Sequence, residues 1–305
     1  MRIVLTGATG TIGGAVASAL CSRGDTVVAL SRSAQSAREK LPGVEAHPWE
    51  QPTKSPPPEG ALSGADAVVH LLGEPISQRW SESVKRKIRD SRVLATRQLT
   101  KGLRALPEAQ RPRALVSQSA TGFYGPRDEQ PVDESSAPGK DFLAEVVAAW
   151  EAEAMTAADL MRVAVTRTGV VLSPQGGALE TMLPFFKLGI GGPVAGGRQY
   201  ISWIHLDDVV GALLHCLDDE SAEGPVNVTA PSPVTNAEFS KALGRVLHRP
   251  AFLPVPASAL KLLYGEMSTI VTTGQRVMPE RLKLLGYEFR QGELGAALRS
   301  VLNGA

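Results

Sequence analysis

The stretch LTGATGTIGG, residues 5–14, decides the fold. It joins a short apolar run, Ile3 to Thr6, to a segment in which Ile12, Val16 and Leu20 recur every four residues, the period of a helix face. Gly7, Gly10 and Gly13 therefore form a G-x-x-G-x-x-G loop between a strand and a helix. Glycines there allow a tight turn and let backbone amides approach a pyrophosphate, while the helix N-terminus adds partial positive charge. The loop reads as a dinucleotide cradle.

Further runs repeat the strand-then-helix alternation. Thr26 to Leu30, Ala67 to Leu72, Ala114 to Ser117 and Val163 to Thr168 are separated by segments long enough for crossover helices. This pattern predicts an α/β fold, a Rossmann-like doubly wound parallel sheet with helices on both faces. Ser81 is the expected N-cap of a long helix reaching Leu106, and Thr235 to Glu238 forms a capping box that starts a new helical unit. After residue 172 the texture changes, through the glycine-rich GGPVAGGRQ (191–199) and a further strand, PVNVT (225–229). We expect a dinucleotide-binding domain over residues 1–172, rejoined by 202–230, and a smaller C-terminal substrate domain from 173–201 and 231–305.

Composition narrows the function. The 305 residues are 43% apolar, and 32 basic against 31 acidic side chains leave a net charge of +1, so neither nucleic acid nor a membrane is an expected partner. Cys21 and Cys216 lie in apolar helical patterns and read as buried thiols of a reducing compartment. With no signal-like segment, a cytoplasmic location is expected. The five histidines show no metal-ligand spacing, and no G-x-S-x-G elbow is present.

The second strand ends in Leu30-Ser31-Arg32. A carboxylate at this point would hold the ribose 2′-hydroxyl of NAD, whereas an arginine pairs with a 2′-phosphate. Ser31 and Arg32 favour NADP(H) over NAD, the alternative being a solvated surface arginine.

With this loop, DAVVHLLGEPI (66–76), SQSATGFYG (117–125), RTGVVLSPQGGAL (167–179), GGRQYISWIHLDDVV (196–210) and GQRVMPERLKLLGYEF (274–289) resemble the epimerase-family branch of atypical short-chain dehydrogenase/reductases over nearly the whole chain. The resemblance implies NADP-dependent oxidoreductase or nucleotide-sugar-epimerase-like activity, and some members carry cell-division labels. It also implies that Gly7, Thr9, Gly10, Thr11, Ile12 and Gly13 line the pyrophosphate and Ser31 with Arg32 the adenosine phosphate, that Leu72 and Gly73 pass beneath the cofactor and that Gly169 and Val170 face its nicotinamide. Arg92 is either a further phosphate ligand or a surface charge.

In most such reductases a serine positions the carbonyl, and a Tyr-x-x-x-Lys pair on the next helix donates the proton. Ser119 takes the serine's place, but the matching helix positions are Leu143 and Val147, and no tyrosine in the chain has a lysine four residues on. General acid catalysis contributes about 10²–10⁴-fold, so its loss weakens this chemistry without forbidding it. Ser119, Thr121 and Tyr124 are the catalytic candidates, with packing as the alternative for Tyr124. Glu74, Arg198, Gln199, Trp203 and Arg276 are the expected substrate contacts, and two arginines would suit an anionic substrate. His205 reads as a structural histidine at a strand-to-helix turn. The sequence supports an NADP(H)-dependent enzyme acting on a small polar substrate; a non-catalytic NADPH-binding regulator is the alternative.

Overall fold

The computed structural model describes residues 1–174 and 176–303. Strand and helix alternate through β1 (Arg2–Thr6), α1 (Thr11–Ser22), β2 (Thr26–Ser31), α2 (Ala34–Lys40), β3 (Glu45–Pro48), α3 (Glu59–Leu62), β4 (Ala67–His70), α4 (Glu82–Ala105) and β5 (Ala114–Ala120). A 3-10 turn at Thr121–Tyr124 leads to β6 (Pro131–Val132), α5 (Phe142–Met155), β7 (Arg162–Thr168) and β8 (Val170–Leu172). Next come α6 (Gly177–Lys187), β9 (Tyr200–Ile201), β10 (Trp203–His205), α7 (Leu206–Asp218) and β11 (Gly224–Val228). The last segment holds β12 (Val234–Thr235), α8 (Asn236–Leu247), α9 (Ala257–Tyr264), α10 (Thr269–Thr272), β13 (Arg276–Val277), α11 (Glu280–Leu284) and α12 (Leu294–Asn303).

The central sheet has the order β11-β7-β5-β4-β1-β2-β3, with every neighbouring pair parallel. β3 escapes the sequence pattern because its Glu-Ala-His-Pro is a four-residue edge that buries only Ala46. On one face, Val16 and Leu20 of α1 and Leu213 and Cys216 of α7 pack on Ile3, Leu5, Val69 and Val116. On the other, Leu99 and Leu103 of α4 and Ala154 of α5 cover Val4, Val68 and Leu115. Each such leucine contributes about 1.5–3 kcal/mol of burial. A separate core between α6, β10, α8 and α12 gathers Leu183, Phe186, Trp203, Phe239, Leu243 and Leu298.

The expected caps form. The Ser81 side chain accepts from the Val84 amide, and Thr235 and Glu238 complete their reciprocal box. Cys216 is buried, which pushes its thiol up to about 12, but Cys21 is exposed on α1, a correction to the expectation of two buried thiols. Four-residue periodicity places Val16 and Leu20 inward and leaves Cys21 one position past that stripe. No helix among the described residues is long and apolar enough to cross a membrane.

Two buried polar groups hold distant parts together. Asp208, 1% exposed in the first turn of α7, accepts from the amides of Arg290 and Gln291 at 2.8 and 2.9 Å and from the Tyr287 hydroxyl at 3.0 Å. It thereby anchors the approach to α12. His70 ends β4 with Nδ1 2.7 Å from Thr6 Oγ1 and Nε2 2.9 Å from Thr96 Oγ1. Thr96 donates to the Arg92 carbonyl, so it accepts from Nε2–H, and Thr6 must donate to Nδ1. This directional chain ties β1, β4 and α4 beneath the glycine loop.

Asp208→Ala removes the acceptor of two part-buried amides, while the Tyr287 hydroxyl keeps the Asp208 carbonyl, and should cost about 2 kcal/mol, read as a lower urea midpoint at unchanged slope. Burial lowers the His70 pKa to about 4. Because this lies below the unfolded value of about 6.5, the unfolded chain takes up the proton first as pH falls. The His70 contribution is therefore complete above that pH and is lost towards about 4. Between about pH 7.5 and about pH 5 it should remove roughly 2 kcal/mol of stability, a loss that His70→Gln lacks when both are followed by urea unfolding.

Candidate functional site

Strands are added on one side of β1 through β2 and β3, then on the other through β4, β5, β7 and β11, so the carboxyl ends of β1 and β4 flank a crevice. Gly7 enters it at φ +67°, and a Cβ there would lie 2.7 Å from the Leu71 carbonyl oxygen. A Cβ on Gly13 would stand 2.1 Å from the Gly7 carbonyl oxygen, so both positions require glycine. The Gly10 amide donates to that same oxygen at 3.1 Å. Gly10 caps α1 without a side chain and the first turn holds no acid, so no side chain of the cap competes for the opening amides at Ile12 and Gly13. Thr9, Gly10 and Thr11 are exposed around them.

At the end of β2 the Ser31 hydroxyl accepts from the Ser33 amide, and Arg32 is exposed with no hydrogen bond or ion pair among the described residues. Its guanidinium is available to an external anion. Loop and arginine together fit a dinucleotide bearing an adenosine phosphate.

The floor of the crevice mixes working and bracing residues. Leu72 packs partly into the core, and exposed Gly73 lies against Arg92, whose guanidinium carbon would be 3.2 Å from a Cβ at that glycine. Arg92 Nη1 donates to the carbonyls of Glu74 and Ile88 at 3.0 and 3.1 Å, and its guanidinium lies 5.4 Å from the Trp150 ring centre. Burial brings its pKa down to about 10. Arg92 thus braces the loop after β4. Gly169 is needed where β8 passes β10, since a Cβ would stand 2.1 Å from the Ser202 carbonyl oxygen; its neighbour Val170 is 36% exposed at the strand ends.

The three hydroxyls at the end of β5 and in the turn after it divide sharply. Ser119, 1% exposed, donates to Glu151 Oε1. Glu151 pairs in two-pronged fashion with Arg167, whose Nε and Nη2 each lie 2.8 Å from a carboxylate oxygen. Arg167 Nη1 also donates to the Tyr124 hydroxyl at 3.0 Å, and its guanidinium carbon sits 3.5 Å from the Phe123 ring centre. Tyr124 is fully buried and donates to Asn227 Oδ1 at 2.7 Å, and burial pushes its pKa up to about 12. Its geometry is that of a packing residue. Thr121 differs: its carbonyl accepts from Gln275 Nε2, but its hydroxyl makes no hydrogen bond among the described residues.

Leu143 and Val147, at the positions of the missing acid and its lysine, face the turn, with atoms 3.7 and 3.9 Å from where a Gly122 Cβ would stand. Glu151 follows at the same four-residue spacing on α5. A lone carboxylate on that aliphatic face, and an arginine inside the apolar strand Val163–Thr168, were the sequence signals of the buried pair.

The expected substrate contacts are dispersed in role. Trp203 is corrected outright: it is fully buried in the core between α6, α8 and α12 and its Nε1 donates to the Ser232 carbonyl, so it is not free to contact a substrate. Gln199 spends its amide on the carbonyls of Val194 and Val271. Glu74 is held through its backbone by Ser91 and Arg92, while its carboxylate makes no hydrogen bond among the described residues. Among the described residues, Arg198 is exposed and makes no hydrogen bond or ion pair, and Arg276 stacks 5.4 Å from the Tyr200 ring centre with no hydrogen-bond partner for its buried Nε. His205 caps α7 by accepting from the Asp207 amide.

Comparison with known proteins accords with this geometry. The chain is 41% identical over 302 residues to the chloroplastic "Epimerase family protein SDR39U1 homolog" of Arabidopsis thaliana, covering 99% of this chain and 87% of that one. It is 37% identical to the human "Epimerase family protein SDR39U1", covering 99% and 100%. A human SDR39U1 crystal structure "with NADPH" superposes with a TM-score of 0.89 at 36% identity over the full length of both chains. Residues 255–301 match a domain of unknown function, DUF1731. Residues 3–229 match the NAD dependent epimerase/dehydratase family, and with the glycine cradle at the head of its parallel sheet, the chain belongs to that family.

Proposed function

We propose that this protein binds NADP(H) and carries out redox or epimerase-like chemistry on a small polar substrate. The substrate would lie between the dinucleotide-binding domain (1–172 with 202–230) and the smaller domain (173–201 and 231–305), in a reducing compartment such as the cytoplasm. The observation that carries the reading is the pairing of a cradle closed to any Cβ at Gly7 and Gly13 with an unpartnered Arg32 at the end of β2. The human relative solved with NADPH supports the same cofactor.

When bound, the nicotinamide supplies or accepts a hydride. Val170 offers that ring an apolar contact. Thr121, with its hydroxyl uncommitted, orients a substrate oxygen in place of the occupied Ser119 and Tyr124. Arg198 and Arg276 attract an anionic group on the substrate. Proton delivery then falls to water. A second reading, a non-catalytic NADPH-binding regulator, is favoured by one observation: the Ser119 and Tyr124 hydroxyls are both spent on interior partners.

Fluorescence titration should show NADPH preferred over NADH, with Arg32→Glu weakening NADPH by roughly tenfold or more; an unchanged preference removes Arg32 from cofactor selection. Turnover is screened at the nicotinamide absorbance band with aldehydes, ketones, quinones and nucleotide sugars. Thr121→Val should lower it roughly tenfold, and more than Ser119→Ala does. NADPH binding without turnover of any class would select the regulator.

A further inference from the structure

The outer face of α8 carries a groove of about 760 Å³ whose lining shares no residue with the cofactor crevice. Lys241 and Arg245 stand one helical turn apart on α8, and Arg249 lines the same groove from the segment beyond the helix, which ends at Leu247. His248 adds an imidazole. All four side chains are exposed, and none makes a hydrogen bond or ion pair with any described residue. Glu238, the carboxylate on the same helix, is already engaged by Thr235 in the capping box.

Cations near a helix C-terminus offset its dipole, which accounts for Arg245, His248 and Arg249. That effect fades within the last turn and does not reach Lys241, six residues before the end of α8. Nor does it explain the apolar side of the groove, where Pro193, Ala237 and Ala251 form the wall and Phe252 stands 72% exposed. The chain tightens to shape this place. His248 leaves α8 in the left-handed region at φ 53°, and Gly244 lets Ala251 pass so close that a Cβ would meet its Cβ at 2.5 Å.

Lys241 and Arg245, like charges one helical turn apart, repel each other unless a shared counter-ion bridges them. Guanidinium and ammonium groups meeting in one concavity beside a bare aromatic ring match a phosphate group attached to an aromatic or apolar body. We propose that this groove is a second anion site, which binds an organic phosphate through Lys241, Arg245 and Arg249 and stacks its apolar part on Phe252.

The test is calorimetric titration of the full chain, its cofactor crevice filled with NADPH, using ATP, inorganic pyrophosphate and phosphatidylglycerol vesicles. ATP should bind at one additional site, more weakly as salt rises, while NADPH fluorescence shows the crevice still occupied. Lys241→Glu with Arg245→Glu should weaken ATP by roughly tenfold or more and leave NADPH affinity unchanged. Phe252→Ala should weaken ATP but not pyrophosphate. Binding of vesicles alone would assign the same phosphate chemistry to a lipid headgroup. No binding of any probe at low salt, or equal binding by the charge-reversed variant, overturns the proposal.

Discussion

Two backbone segments meet so closely at the carboxyl ends of β1 and β4 that no side chain fits between them, and the rest of the site depends on this contact. Gly7 passes the Leu71 carbonyl at a distance that excludes a Cβ, and Gly13 then passes Gly7 under the same restriction. Beneath them, the Thr6–His70–Thr96 chain satisfies every buried polar atom it contains, so the approach costs no orphaned hydrogen-bonding group. The helix N-terminus is thereby held over the crevice, where its first amides face an incoming diphosphate.

Behind the neighbouring strand end, the interior has been rebuilt. Positions that carry a proton donor and its lysine in most short-chain reductases hold Leu143 and Val147, and the same face of α5 continues into Glu151. Burial works against the charge of Arg167, but the Glu151 carboxylate more than restores it, raising its pKa. Such a pair gives little net stability, yet losing one partner costs about 3–5 kcal/mol because a charge is left buried alone. Ser119 and Tyr124 complete the bonding of this pair, and Asn227 extends it to β11 and the Met278 carbonyl. Groups that elsewhere face a substrate here connect β5, α5, β7 and β11.

The near-neutral total charge conceals an uneven distribution. Carboxylates on and beside the outer helices sit in local ion pairs or caps, as Glu153 of α5 does with Arg97 and Asp159 just beyond it with Arg104. Among the described residues, Lys241 and Arg245 of α8 have no such partners. Whole-chain composition excludes a broadly basic protein and says nothing about three cations gathered in one groove.

From local pattern alone, the chain determined its glycine cradle, all six of its expected strands, four of them to within one residue at either end, the Ser81 and Thr235 caps and the absence of a Tyr-x-x-x-Lys pair. Those features depend on short-range spacing, on backbone conformations open only to glycine and on the simple presence or absence of a side chain. The edge strand Glu45–Pro48, the burial of Trp203, the exposure of Cys21 and the capture of Ser119 were decided by tertiary structure. A residue's neighbours across the sheet fix its burial and its hydrogen-bond partners, and Ser119 and Arg167, 48 positions apart in sequence, meet only when β5 and β7 pair. The same hydroxyl can therefore be a candidate catalyst when read along the chain and a donor to a buried carboxylate once the sheet has formed.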